Sequence, residues 1–272
     1  MQSSDTWNPN QYHLFQDERQ QPFFDLLKLI DSTKVMGRAV DLGCGTGELT
    51  QILHCRFKIG HTLGIDRSPS MLEKATSIGQ SNLDFGQGHL ENWSDGRGVD
   101  LIFANAALQW APDHHNLVPR LLESLNPGGQ IAIQIPANHD HLSHRLAGEI
   151  AQEAPFKEAL SGYVRRSPVL PVEDYATMMQ KQGLKNICCF MKIYGHQLAS
   201  SWEVVEWVRG TLLTDYRSRM SPSLYEDYLR RYSKRLIEAL GDEKPYFYAF
   251  KRILFYGIKP DRENFSKQND LT

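Results

Sequence analysis

Apolar and polar positions along the first half of the chain form blocks that predict strands and helices in alternation. Short apolar runs are typical of buried strands, and the stretches between them place apolar residues three and four positions apart, as amphipathic helices do. The predicted strands are residues 38–42, 62–66, 83–87, 99–104 and 130–135, and the predicted helices are residues 48–56, 70–78 and 113–125. This alternation predicts an α/β fold with a doubly wound sheet.

The rhythm changes after Pro136. Helical patterns return at residues 141–154 and 172–182, on either side of a connection that contains prolines and arginines and that we interpret as an insertion. The rest of the pattern predicts a strand at 186–194, helices at 200–213 and 221–240, and a closing strand at 246–258.

Three closely spaced glycines, Gly43, Gly45 and Gly47, join the first predicted strand to the first helix. Glycines let a backbone turn sharply and approach a ligand closely. Folds that bind dinucleotides use the wider spacing G-x-G-x-x-G, and here Glu48 takes the place of that last glycine. Asp41 adds a second negative charge. These charges favour a cationic ligand over a diphosphate, and S-adenosyl-L-methionine, with its sulfonium and ammonium groups, is such a ligand.

A second apolar run ends in Asp66, about 20 residues beyond the glycine loop, where nucleoside-binding folds of this kind place the acid that binds the ribose hydroxyls. The alternative is that Asp66 only stabilises the turn before Ser68 and Pro69, which together are a typical helix start. The glycine loop favours the ribose role. Arg67 and Met71 then lie close to the predicted cofactor.

Composition and charge narrow the function further. With 272 residues and 41% hydrophobic content, the chain can build a substantial core. A net charge of −2 and a pI near 6.6 favour neither nucleic acid nor an anionic membrane as a partner. The first residues lack the pattern of a signal peptide and no apolar run reaches membrane-spanning length, so we expect a cytoplasmic protein. The sequence specifies no oligomeric state, and a monomer is compatible with it.

Cysteines and histidines do not form a metal or disulfide pattern. The four cysteines match neither a disulfide framework nor a zinc motif, so we interpret them as ordinary thiols: Cys44, Cys55, Cys188 and Cys189. His139, His141 and His144 cluster near a predicted loop, but no carboxylate or cysteine accompanies them at ligand spacing. Solvated loop histidines are the favoured interpretation, and we expect no metal.

Four stretches together resemble the motif series of the class I S-adenosylmethionine-dependent methyltransferases, in the same order and at similar spacing: residues 41–47, 64–66, 105–110 and 125–129. The opening stretch at 7–12, the run at 108–114 and residues 205–208 are more similar to the trans-aconitate methyltransferases within that family. The resemblance implies a Rossmann-like seven-stranded sheet with an antiparallel last strand, and a helical cap.

The resemblance also implies a division of the chain. Residues 1–30 would be an N-terminal lid segment, in which Trp7 and Tyr12 close over the site, unless these aromatic side chains simply pack on the core. Residues 31–136 would be the cofactor-binding core. Residues 137–260 would contain the helical cap and the closing strands of the same sheet, and residues 261–272 a flexible tail.

Within the family, the glycine loop contacts the methionine part of the cofactor, and Asn105 and Ala106 lie near the sulfonium. His89 stands where similar proteins have an aspartate that binds adenine, and a neutral imidazole or the Leu90 backbone could make that contact instead. The expected cofactor-binding residues are therefore Asp41, Gly43, Cys44, Gly45, Asp66, Arg67, Met71, His89, Leu90, Asn105 and Ala106.

Methyl transfer needs the acceptor held in line with the sulfonium. A carboxylate acceptor is already ionised at neutral pH and needs no general base, so we expect binding residues rather than a catalytic acid or base, with S-adenosyl-L-homocysteine as the second product. The candidate acceptor contacts are Trp7, Tyr12, Gln109, Trp110, Arg165 and Arg166, with Arg209 and His114 as weaker candidates. Gln109 and Trp110 could instead be a packing motif, and the arginine pair a solvated surface.

Three functions stay open from the sequence. The first is methylation of a small carboxylic acid of the trans-aconitate type. The second is methylation of another small oxygen or nitrogen acceptor, which would need a base such as His114 or His139. The third is a non-catalytic domain that binds S-adenosylmethionine and serves as an interaction module.

Overall fold

The computed structural model describes residues 16–261, with side chains from residue 20 onward, so Trp7, Tyr12 and the tail beyond residue 261 lie outside the described part. Seven strands form one sheet: β1 (Arg38–Leu42), β2 (His61–Asp66), β3 (Leu83–Gln87), β4 (Val99–Asn105), β5 (Leu125–Pro136), β6 (Lys185–Leu198) and β7 (Tyr246–Ile258). Their order across the sheet is β3-β2-β1-β4-β5-β7-β6. The doubly wound sheet predicted from the alternating pattern is confirmed.

Strand direction follows the expected pattern. The first five strands pair in parallel, and β7 pairs antiparallel to β5, with Gln130 opposite Ile258 and Pro136 opposite Arg252. β4 is buried along most of its length because helices cover both faces of a parallel sheet, which explains its nearly continuous apolar run. The seven-stranded sheet with an antiparallel closing strand is therefore confirmed.

Ten α-helices surround these strands in the described part: α1 (Gln16–Leu27), α2 (Glu48–Phe57), α3 (Pro69–Thr76), α4 (His114–Glu123), α5 (Leu142–Ala151), α6 (Phe156–Ala159), α7 (Val172–Lys181), α8 (Trp202–Arg209), α9 (Leu212–Arg217) and α10 (Pro222–Leu240). The helix start predicted at Ser68 and Pro69 is confirmed, because Ser68 accepts a hydrogen bond from a backbone N–H group of the first turn, and Ser221 caps α10 in the same way. No helix of residues 16–261 is long and apolar enough to cross a membrane.

Three predicted elements differ from the structure. The helix predicted at 200–213 is two helices, because the backbone leaves the helical conformation at Thr211. The short helix α6 lies in a stretch where no helix is predicted. The fifth strand begins at Leu125 rather than after the Asn-Pro-Gly-Gly breaker, which the strand absorbs as a shift of register opposite the start of β4.

The described chain divides into two compact units. The core unit contains residues 20–136, 168–192 and 252–261, and the second unit contains residues 137–167 and 193–251. The structure thus groups α7 and the first part of β6 with the core unit. The predicted division into lid, core, cap and tail stays a prediction.

A buried histidine and tyrosine join two segments of the core unit. His114 Nε2 lies 2.8 Å from the carbonyl oxygen of Leu108, so this nitrogen carries the proton, and Tyr175 donates its hydroxyl to Nδ1 at 2.6 Å. The same hydroxyl accepts from Leu170 N at 3.1 Å. Burial lowers the pKa of His114. His114, a candidate for acceptor binding and for a general base, is therefore a structural residue with both ring nitrogens in use.

Tyrosines dominate the core of the second unit. Tyr228 donates to the carbonyl oxygen of Ala147 at 2.8 Å and Tyr232 to that of Ser143 at 2.9 Å, so the long helix α10 is bonded to α5 through its buried face. The hydroxyl of Tyr225 is also buried but has no hydrogen-bond partner among the residues that the structure describes. These rings belong to one apolar cluster that also includes Trp207 and Phe250.

We predict that Tyr175→Phe lowers the free energy of unfolding by about 1–3 kcal/mol, because it leaves the Nδ1 of His114 and the N–H of Leu170 buried without a partner. Urea unfolding at neutral pH measures this difference. Tyr225→Phe is the matched control, since it removes a hydroxyl that no described residue contacts, and it should not lower stability. Equal losses in the two variants would contradict the role assigned to the His114–Tyr175 pair.

Candidate functional site

The strand order reverses its direction of winding between β1 and β4. From β1 the chain moves outward through β2 and β3, then returns to β4 and moves to β5 on the other side. The carboxyl ends of β1 and β4 therefore diverge into a crevice, the place where open α/β sheets bind their ligands. Most residues predicted to bind the cofactor lie at this edge of the core unit, at the ends of β1, β2 and β4.

Two glycines of the loop after β1 are required for different reasons. Gly43 has φ +83°, and a Cβ at this position would lie 2.3 Å from the Cβ of Ala107 in the loop after β4. Gly45 has φ +56°, but a Cβ there would meet no atom within 4 Å. Gly43 thus allows two loops to touch, whereas Gly45 leaves open space beside the backbone where a ligand can approach.

Asp66 connects the loop after β2 to the glycine loop. Its Oδ2 accepts from the backbone N–H of Gly45 at 2.9 Å, and its Oδ1 accepts from that of Ser68 at 2.9 Å. The turn-stabilising role, the alternative weighed from the sequence, is therefore present in the structure. Each carboxylate oxygen keeps a second lone pair, so the same half-buried group can also accept from ribose hydroxyls.

Asp41 is buried at the end of β1, with 4% of its surface exposed. Burial, with a smaller contribution from the nearby Asp66, raises its pKa to about 7, against a hydrogen bond from Thr50 Oγ1 at 2.6 Å that opposes the shift. From the sequence we expect Asp41 to carry a full negative charge. The structure corrects this: near neutral pH the carboxyl group is only partly ionised, and a cation placed beside it would favour its charged form.

Cys44 lies within the same loop and is buried. Burial, together with the charges of Asp41 and Asp66, raises the pKa of its thiol. The thiolate form is therefore disfavoured, which fits an ordinary thiol whose backbone shapes the loop. All four cysteines are free thiols, as expected from their spacing.

The loop after β3 carries His89 and Leu90. Gly88 N donates to the carbonyl oxygen of Asp66 at 3.0 Å, which brings this loop to the same edge of the sheet. The side chain of His89 is 57% exposed, and its Nδ1 lies 3.5 Å from Glu91 Oε1. The imidazole is thus accessible, and its contact with adenine stays a prediction.

The loop after β4 has a strained backbone. Ala106 follows Asn105 with φ +54°, a left-handed conformation that costs a residue with a Cβ about 1–2 kcal/mol. Gln109 donates through Nε2 to the carbonyl oxygen of Ala106 at 2.6 Å, and its Oε1 is buried without a partner among residues 16–261. One of the two N–H groups of its amide therefore holds this turn, and the contact between Gln109 and an acceptor carboxylate stays a prediction.

Trp110 and Arg67 meet at the same edge. The guanidinium carbon of Arg67 lies 5.6 Å from the centroid of the Trp110 ring, within range of a cation–π interaction. The two residues come from the loops after β2 and β4, so the tertiary structure brings together one predicted cofactor residue and one predicted acceptor residue. Met71, in the first turn of α3, is half-buried near Asp66.

Two polar residues at this edge are not predicted from the sequence. Gln134 and Arg252 are buried on β5 and β7, with 0% and 5% of their surface exposed. In the amide orientation that satisfies its neighbours, Gln134 contacts Asn105 Oδ1 at 2.8 Å and Arg252 Nη1 at 3.2 Å. The signal that could have found them is a polar residue inside an otherwise apolar strand. Thr50, which holds Asp41, offers no comparable signal.

The second unit contains the arginine pair. Arg165 is half-buried and its backbone N–H donates to the hydroxyl of Tyr216 at 3.2 Å, whereas Arg166 is exposed. Arg209, the weaker candidate, lies on α8 and forms an ion pair with Glu206 at 3.3 Å. Arg209 is therefore already paired on the surface.

The histidine cluster of the second unit is less solvated than expected. Ser143 Oγ lies 2.9 Å from His141 Nδ1 and 3.1 Å from His144 Nδ1, so the hydroxyl bridges the two rings. Burial, together with the neighbouring histidines and Arg165, lowers the pKa of His144 to about 3. The interpretation as solvated loop histidines is wrong for His144. No group of three or more histidine, cysteine or acidic side chains in residues 16–261 is arranged to hold a metal.

Known proteins are similar in sequence to this chain over most of its length. Residues 15–188 match the family model described as a methyltransferase domain. A curated trans-aconitate 2-methyltransferase from Deinococcus radiodurans is 42% identical over 262 residues, which cover 94% of this chain and 99% of that protein. A protein of the same name from Variovorax paradoxus is 37% identical, over 86% of this chain and 90% of that one.

Solved structures agree on the fold. The YcgJ protein from Bacillus subtilis superimposes with a TM-score of 0.57 at 17% identity, over 89% of this chain and 99% of that chain. At this identity the similarity shows that the two proteins share an architecture.

We predict that Asp41→Asn stabilises the ligand-free protein increasingly as pH rises from about 4 to about 7. The folded-state pKa lies above the unfolded value of 3.8, so in this range the wild type binds a proton only when folded and loses stability as pH rises, by at most about 1.4 kcal/mol per pH unit. Above about pH 7 the difference should level off.

Urea unfolding of both proteins across this pH range measures the difference. The side-chain oxygen of the introduced asparagine would still accept from Thr50, so the hydrogen bond is preserved. Asp227→Asn, which removes an exposed carboxylate, controls for the loss of charge alone. A stability difference that does not change with pH would show that Asp41 is not protonated in the folded state.

Proposed function

The chain belongs to the methyltransferase family that its match to the family model and its curated relatives define, and from that premise we propose that it methylates a carboxylate of trans-aconitate or a similar small acid. The methyl donor is S-adenosyl-L-methionine. The observation that carries the proposal is the identity of 42% with a trans-aconitate 2-methyltransferase over 94% of this chain. Such a match spans the cofactor-binding residues and the rest of the chain alike.

The residues at the edge of β1, β2 and β4 suit this cofactor. Asp66 places a carboxylate on the backbone of Gly45, beside the open space there, and the buried Asp41 lies close enough to Asp66 to affect its own pKa. These carboxyl groups favour a ligand with a sulfonium and an ammonium group. In this proposal Gly43, Cys44 and Gly45 follow the methionine part of the cofactor and Asp66 binds the ribose. The remaining proposed cofactor contacts are Arg67, Met71, His89, Leu90, Asn105 and Ala106.

The reaction needs no proton transfer. A carboxylate oxygen of the acceptor attacks the methyl carbon, the bond from carbon to sulfur breaks, and its electron pair returns to sulfur, which gives a methyl ester and S-adenosyl-L-homocysteine. The negative acceptor and the positive sulfonium both become neutral, so a site that excludes water favours the transition state. The protein contributes mainly by holding the two reactants in line.

The two other functions that the sequence leaves open are less well supported. A hydroxyl or amine acceptor would call for a general base, and His114 is buried with both nitrogens engaged. His139 would then be the base of that second candidate. A non-catalytic role is disfavoured because the chain belongs to a family of enzymes.

Acceptor contacts are proposed for Trp110, Arg165 and Arg166, and for Trp7 and Tyr12 outside the described residues. Arginine forks bind carboxylates in a bidentate manner, which suits a ligand with several carboxylates. Gln109 is a further proposed contact, since the bond to the carbonyl of Ala106 uses only one of the two N–H groups of its amide. The cytoplasmic location and the absence of nucleic-acid, membrane and metal partners stay predictions.

We predict that the protein transfers label from methyl-labelled S-adenosylmethionine to trans-aconitate and forms a base-labile ester. A panel of di- and tricarboxylates, assayed with their neutral amides, measures the acceptor preference. Alkali-stable label on an oxygen or nitrogen acceptor would contradict the carboxylate proposal. The same assay on Arg165→Ala and Arg166→Ala tests these residues, with the surface-paired Arg209→Ala as control.

We predict that Asp66→Ala weakens binding of S-adenosylhomocysteine by more than about tenfold, roughly 1.4 kcal/mol. Because Asp66 also holds Gly45 and Ser68, part of this loss arises from the loop. Calorimetry with the 2′-deoxy analogue separates the two causes. Wild type should prefer the ribose ligand and Asp66→Ala should bind both alike. If both ligands weaken in parallel and the preference persists, the ribose role of Asp66 is wrong.

A further inference from the structure

A buried row of three polar side chains crosses from β7 to the end of β4 in the core unit. With the Gln134 amide in the orientation that satisfies its neighbours, Arg252 Nη1 lies 3.2 Å from Gln134 Oε1, and Gln134 Nε2 lies 2.8 Å from Asn105 Oδ1. The strand register places these residues side by side, since Asn105 pairs with Gln134 across β4 and β5, and Arg252 stands on β7 opposite Pro136. Gln134 has none of its surface exposed.

Hydrogen-bond chemistry fixes the orientation of both amide groups in this row. An arginine guanidinium has five donors and no acceptor, so the side-chain oxygen of Gln134 must face Arg252. The amide nitrogen of Gln134 then faces Asn105 and can only donate, so the oxygen of Asn105 must face Gln134. An inverted amide at either position would put two donors or two acceptors in contact inside a buried region, which costs about 1–3 kcal/mol.

The consequence appears at Asn105. Its Oδ1 is held by Gln134, so its Nδ2 group, a donor with two hydrogens, is the part of the amide left to contact a ligand at the carboxyl end of β4. Within residues 20–261, the hydrogen bond of the Asn105 side chain is the one that its Oδ1 accepts from Gln134. A donor in this place suits an anion and does not suit an ammonium group.

We propose that Arg252 and Gln134 are positioning residues that fix Asn105 as a hydrogen-bond donor to a carboxylate at the reaction centre. The proposal rests on the proposed function, because it assigns the carboxylate to one of the two reactants. That carboxylate belongs either to the acceptor or to the methionine part of the cofactor. The group of this row that faces the ligand is thus a neutral amide donor.

The variant Gln134→Glu should reverse the orientation of the Asn105 amide, and it hardly changes the volume of the side chain at residue 134. A carboxylate at residue 134 accepts from Arg252 and requires a donor from Asn105, so the Asn105 amide turns and presents its oxygen to the ligand. The side-chain oxygen of Asn105 and an oxygen of the ligand carboxylate then face each other. We expect binding of the carboxylate to weaken by about tenfold or more, since a buried acceptor without a donor costs about 1–3 kcal/mol.

Gln130→Glu is the matched control. Gln130 lies on the same strand, is 1% exposed, and accepts from Asp31 N at 2.8 Å and Tyr256 at 2.7 Å. It has no contact with Asn105 and lies toward the other end of β5. This variant introduces the same buried carboxylate and should leave the binding constants of both reactants near those of wild type.

Steady-state kinetics with trans-aconitate and calorimetry with S-adenosylhomocysteine distinguish the two sources of the carboxylate. A raised KM for the acceptor with unchanged cofactor affinity in Gln134→Glu assigns it to the acceptor. A weakened cofactor affinity with unchanged acceptor KM assigns it to the methionine part. In the first case the variant should also bind a carboxamide analogue of the acceptor better, relative to the acid, than wild type does, which a merely loosened structure would not produce.

Gln134→Met keeps the test decisive if the glutamate variant does not fold. Methionine removes both contacts, so Asn105 can turn either way, and the preference for acid over carboxamide should fall without reversing. Unchanged acid preference and cofactor affinity in a folded residue-134 variant would overturn the proposal. Failure of wild type to bind S-adenosylmethionine or to methylate any carboxylate would instead overturn the proposed function, so the two failures are distinguishable.

Discussion

The carboxylate of Asp66 is the contact on which the site depends. It accepts hydrogen bonds from Gly45 and Ser68 and thereby holds the loops after β1 and β2 in one arrangement. The backbone N–H groups of Gly43 and Cys44 add two bonds to the carbonyl oxygen of Ile65. Because these loops carry few side chains of their own to pack, such polar contacts define the shape of the crevice, and Gly43 completes it by admitting the loop after β4.

Burial of charge connects stability to ligand binding at this edge. Asp41 is buried close to Asp66, and its raised pKa shows that ionisation is unfavourable without a compensating cation. In the proposed site, a sulfonium and an ammonium would supply that compensation. The arrangement makes the ligand-free protein less stable than it could be, which is common where a binding site needs unfavourably placed groups. The strained backbone at Ala106 is a second example at the same edge.

The proposed chemistry explains why this site has polar donors but no evident base. Methyl transfer to a carboxylate requires alignment and exclusion of water, and neither needs a group that takes up a proton. His114, the nearest candidate base in the sequence, serves instead to join Leu108 to Tyr175. The row from Arg252 to Asn105 adds a directional effect, because a donor-only guanidinium determines the orientation of two neutral amides.

The sequence by itself determined the sheet and the family, and it predicts the place of the cofactor site, because strand periodicity, glycine spacing and helix starts act over a few residues. The use of His114 inside the fold and the desolvation of His144 depend on neighbours distant in the chain. Only the tertiary structure brings Asn105, Gln134 and Arg252 together from three strands, since pairing across a sheet joins residues over a hundred positions apart. The protonation of Asp41 was likewise decided by packing, because burial rather than sequence sets the cost of a charge.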